Sequence, residues 1–101
     1  MAIYFFTFEA LPKLDNPEIE EFEGAFVNCW VHSIDLNLAF AEARNYINEE
    51  GWKIIRLDSQ YTASRELYEN DPELLNSLNC FDEAVEYGVS AIFHTWPYEE
   101  I

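Results

Sequence analysis

Three segments of this 101-residue chain carry large apolar side chains on both of their alternating faces, and this limits what the chain can fold into. Residues 2–10 set Ile3 and Phe5 against Tyr4, Phe6 and Phe8. Residues 25–32 set Phe26 and Trp30 against Val27, Cys29 and Val31, and residues 89–96 set Ile92 and Trp96 against Val89 and Phe93. Side chains alternate from face to face along a strand, so these read as strands of a sheet that needs cover on both sides. Pro12 and Pro97 end the first and last of them, because proline donates nothing to a ladder.

Two helices are predicted between and beside the strands. Asp35 stands at an N-cap position, and Leu36, Phe40, Ala43 and Ile47 follow at helical spacing. Gly51 closes this helix, and Trp52 folds back on its last turn. A third strand, residues 52–61, carries Arg56, Asp58 and Gln60 on one face, which suits an edge or solvent-facing position. Ser64 or Thr62 starts a short helical piece through Tyr68. Asp71-Pro72 then restarts the helix, with Asp as cap and Pro at the first helical position. Leu74, Leu78, Phe81 and Val85 form its stripe, Asn79 is a possible break, and Gly88 is the stop. Residues 13–24 read as an acidic loop around Pro17, and residues 98–101 as a loose tail.

The order is ββαβαβ, and the length fits one domain. The fold class is α+β: a two-layer sandwich with a four-stranded sheet and two main helices, ferredoxin-like in size though not in its order of elements. One helical layer leaves part of the apolar sheet uncovered. The candidate covers are the 13–24 loop, helices divided between the two faces, or a second copy of the chain.

Composition restricts function. Twenty acids against five bases give a formal charge of −15, which repels nucleic-acid phosphates and anionic membrane surfaces. The same charge favours solubility and rapid, salt-sensitive encounter with a basic partner. The first residues have neither the basic start of a signal peptide nor the length of a membrane span, so the cytoplasm is expected. Two cysteines are too few for a disulfide framework, and Cys29 and Cys80 read as buried thiols.

No catalytic or cofactor motif is present. His32, His94 and Cys29 lack the convergent spacing of a zinc site, so neither metal nor cofactor is expected. The acidic loop lacks the order of a calcium hand, no serine sits in a nucleophile elbow, and glycines 24, 51 and 88 form no phosphate cradle. The carboxylates occupy loops and polar helix faces, where water keeps them ionised. Trp30, Trp52 and Trp96 suit a ligand platform or, more simply, a core.

The pieces Asn28-Cys29-Trp30-Val31, Glu50-Gly51-Trp52 and His94-Thr95-Trp96-Pro97 resemble those of a set of small uncharacterised bacterial proteins, over most of the chain. The resemblance implies a bacterial cytoplasmic protein and carries no activity with it.

The leading functional reading is a non-enzymatic protein-protein interaction module. A sharper form is an inhibitor or immunity-type protein that covers the basic surface of another protein by imitating phosphate charge. The partner-binding candidates are Glu18, Glu20, Glu21 and Glu23, followed by Glu66, Glu69, Asp71 and Glu73. The surplus apolar sheet face is expected to hold a partner or a second copy, as a homodimer. One alternative is a small-molecule-binding or catalytic domain with a pocket between sheet and helices, using His32, His94, Trp30 and Trp96. Another is a structural subunit of an assembly.

Overall fold

A computed structural model describes residues 1–98. The elements are β1 (Ala2–Pro12), β2 (Phe22–Ser33), α1 (Leu36–Glu49), β3 (Trp52–Ala63), α2 (Leu75–Tyr87) and β4 (Val89–Pro97), in the expected order ββαβαβ. Two short 3-10 turns, Arg65–Leu67 and Pro72–Leu74, lead into α2. The four strands form one antiparallel sheet in the order β3-β1-β2-β4. Of the three strands expected to be apolar on both faces, β1 and β2 are central and β4 is an edge. β3, with its polar face, is an edge.

The two-layer arrangement is corrected. Phe5 and Phe6 point to opposite faces of β1, and each lies in a different core. On one face Phe6, Phe8, Val27, Cys29 and Val31 pack against Ala39, Ala43 and Ile47 of α1. On the other, Ile3, Phe5 and Trp30 pack against Cys80, Phe81 and Ala84 of α2. The helices are divided between the faces, so the molecule has three layers. Complete burial of Trp30, Phe6 and Phe8 stabilises the fold by about 1.5–3 kcal/mol each.

Connectivity decides how far each helix reaches. α1 leaves β2 beside Ser33 and delivers the chain to Trp52, which pairs with Pro12 at the far end of the sheet. It therefore runs the length of its face. The segment between β3 and β4 leaves at Ala63, opposite Ile3, and returns at Val89, opposite Val31. Both points lie at the same end. α2 consequently covers half of its face and leaves the other half bare.

Local chemistry fixes the helix ends as anticipated. The Asp35 carboxylate accepts from the Leu38 backbone N–H at 2.8 Å. The Asp71 carboxylate accepts from Glu73 N–H at 3.0 Å, with Pro72 opening the turn. Gly51 has φ +93°, a left-handed conformation that a side chain would strain. Of the expected stripes, Ala43, Ile47 and Phe81 are buried and Phe40, Leu74 and Leu78 pack against the cores, whereas Leu36 and Val85 are exposed and small Ala39 and Ala84 are buried instead. A small residue lets the helix axis approach the sheet, so the close-contact line follows the alanines. Asn79 does not break α2.

The acidic connection is shorter than expected, because β2 begins at Phe22. Asn16 pins it: its amide donates to Gly51 O at 2.8 Å and accepts from Glu18 N–H at 2.8 Å. Tyr98 is tied by its hydroxyl to Ile19 O at 2.8 Å, and the rest of the expected loose tail lies outside the described residues.

Candidate protein-binding surface

The bare half-sheet is built from odd residues of β1 and even residues of β2 and β4. In the row nearest α2, Thr7 pairs with Asn28, which pairs with Ile92. The next row joins Glu9, Phe26 and His94, and beyond it Trp96 pairs with Gly24. Gly24 is required here by close approach: a Cβ would overlap the six-membered ring of Trp96. With that space open, the indole lies over the backbone of β2 and against Phe26, ring centroids 4.7 Å apart. Phe26 remains 43% exposed.

Polar groups frame these rings. The Thr7 hydroxyl donates to Asn28 Oδ1 at 3.4 Å, and Asn28 Nδ2 lies 3.5 Å from His94 Nε2. At the β3 edge Arg56 is held between Glu9, at 2.9 Å, and Asp58. These exposed pairs are screened by water, so they orient side chains more than they stabilise the fold. At the end of the sheet stands the acidic turn of residues 13–21, tied to this surface by Tyr98.

The two sets of acidic candidates separate. Glu18, Glu20, Glu21 and Glu23 lie at the bare end of the sheet, beside Gly24 and Trp96. Glu66, Glu69, Asp71 and Glu73 follow Ala63 at the opposite end. Glu69 is already engaged by Arg65 at 2.8 Å, and the Asp71 carboxylate caps a turn. The eight residues therefore do not make one patch.

The supposed pocket of His32, His94, Trp30 and Trp96 is likewise corrected. All four belong to the α2 face, but by register Trp30 and Trp96 are six strand residues apart, or ~20 Å. Trp30 is 1% exposed beneath α2, and its indole N–H donates to the Tyr68 hydroxyl at 3.1 Å. The Tyr61 phenol is pushed up to about 12, by burial first and then by the neighbouring Tyr68. Trp30 is core. His94 and Trp96 join Phe26 on the bare half instead.

Nothing in the sequence announces the Trp30–Tyr68 hydrogen bond, since its members lie 38 residues apart on separate segments. Gly24 was expected to end the acidic loop of residues 13–24; the structure places it inside β2 instead, where a glycine signals close backbone approach. Both cysteines are reduced and buried, and burial pushes the Cys29 thiol up to about 12, so it is protonated and a poor nucleophile. Among the described residues no three His, Cys, Asp or Glu side chains gather to hold a metal ion, and no helix is long and apolar enough to cross a membrane.

Comparison of the chain with protein-family models, curated proteins and solved structures finds no match.

Proposed function

We propose that the protein is a binding module for another protein, engaging it through the bare half-sheet around Phe26 and Trp96 with the acidic turn at its rim. The observation that carries this reading is the Trp96 indole seated over Gly24 against an exposed Phe26. An aromatic pair held in place beside polar groups has the makeup of an interface hot spot, because little side-chain freedom remains to be lost on binding. The rim supplies the sign of the partner: Glu18, Glu20, Glu21 and Glu23 favour a basic surface and steer its approach.

Charge also ranks the partners. A homodimer through this face brings together two chains of −15 each, whereas a basic protein removes that repulsion. An inhibitor or immunity-type role, in which the module covers a basic nucleic-acid-binding surface, is the form that fits best.

The test is affinity capture from the source cell with three baits: the native chain, Phe26→Ser, and a variant with the four rim glutamates changed to glutamine. The expected result is a basic protein retained by the native bait, released by raised salt and lost from both variants. Retention of the same proteins by all three baits contradicts the reading. A dimer in sedimentation that Phe26→Ser dissociates would replace the heterologous partner with a second copy.

A further inference from the structure

A groove of about 690 Å3 runs between α1 and β3, on the face opposite the proposed protein-binding surface. Its apolar floor includes Phe40, Trp52, Ile54 and Leu57. None of its lining residues is acidic, in a chain with twenty acids, while three of the five bases line it: Arg44, Lys53 and Arg56. Arg56 is neutralised by Glu9 and Asp58. Lys53 pairs with Leu11 and alternates with Trp52 and Ile54 of the α1-side core, so its side chain belongs to the other face. Arg44 has no ion-pair partner among the described residues, and its guanidinium is set 5.7 Å from the Phe40 ring.

We propose that this groove binds a small organic anion with an apolar body, its charged group held by Arg44 and its body on Phe40, Ile54 and Leu57. The volume matches the ~300–1,000 Å3 of small-molecule sites. An extended acidic peptide fits less well. Strand addition needs a regular edge, and β3 is interrupted by extra residues at Ile55 and Asp58, where its register with β1 shifts. The net charge does not forbid an anion. Beyond ~8 Å at physiological salt the distant carboxylates are largely screened, whereas a contact pair with Arg44 is not. This site is independent of the protein-binding reading: the residues assigned to the anion, Arg44, Phe40, Ile54 and Leu57, are not shared with it.

The test uses the full chain and the fluorescent probe anilinonaphthalene sulfonate, an apolar sulfonate, at about 0.15 M salt. Near-ultraviolet circular dichroism first establishes that each variant is natively packed. The expected result is saturable binding that Arg44→Gln weakens by about tenfold or more, as loss of a charge-assisted bond does. Arg65→Gln, at the α2 end of the sheet, leaves binding unchanged. Uncharged phenylnaphthylamine binds more weakly and is insensitive to Arg44→Gln. Amide shifts induced by the sulfonate fall within residues 40–57. Absence of saturable binding, equal affinity of native and Arg44→Gln chains, or shifts confined to Phe26 and Trp96 would overturn the proposal.

Discussion

At Gly24 the missing side chain is what lets the Trp96 indole rest across β2 and brace Phe26. Gly24→Ala is expected to displace Trp96 and to destabilise the fold by about 1–3 kcal/mol, a cost typical of overpacking. Denaturant unfolding measures the loss. A red shift in tryptophan emission reports the displacement, because Trp30 and Trp52 remain buried. Cys29 supplies a second test at the same scale. Its thiol is held up at about 12 by burial and then by the nearby Cys80, against an ordinary 9.0 when unfolded. Between those values the unfolded thiol loses its proton and the native one keeps it, so the native state binds more protons. Stability is then complete below pH 9.0 and falls as pH rises toward about 12. Thermal melts over this window should show the decline, and Cys29→Ala should flatten it in part. Tyr61, Tyr46 and Cys80, also shifted upward, keep the remainder.

Among the elements, the capped helices were the most legible in the sequence. Asp35 and Asp71-Pro72 announce their own geometry, since a carboxylate beside unpaired N–H groups has one local use. Asp35→Ala is accordingly expected to cost about 1 kcal/mol in a denaturant titration. Two-sided apolar alternation marked β1 and β2 as buried strands, and Arg56 and Asp58 marked β3 as an edge. The helix faces were legible in part: Ala43, Ile47 and Phe81 were expected in the core and lie there. Leu36 and Val85 outrank alanine in any hydrophobic count, but Ala39 and Ala84 permit closer approach, and packing chose them. Strand pairing was not legible either, because register depends on residues far apart in the chain, and the bare half-sheet follows from register. The acidic turn hangs on one side chain: Asn16→Ala removes two hydrogen bonds at a 5% exposed site and should cost about 1–3 kcal/mol. It should also loosen the turn, which amide exchange at Glu18 would register.

For the whole molecule, the helices share out the two sheet faces unequally. α1 runs along one face from end to end, while α2 spans one end of the other, and the eight candidate acids divide between the two ends of the sheet. Self-repulsion at −15 predicts that moderate salt raises the melting temperature. The central claim is that the uncovered half-sheet is where a partner sits. Hydroxyl-radical footprinting of the free chain and of its captured complex tests this residue by residue. Phe26 and Trp96 should be labelled in the free protein and protected in the complex, with Trp30 silent in both. Protection confined to other surfaces, or a Trp96 already silent in the free chain, would contradict the account.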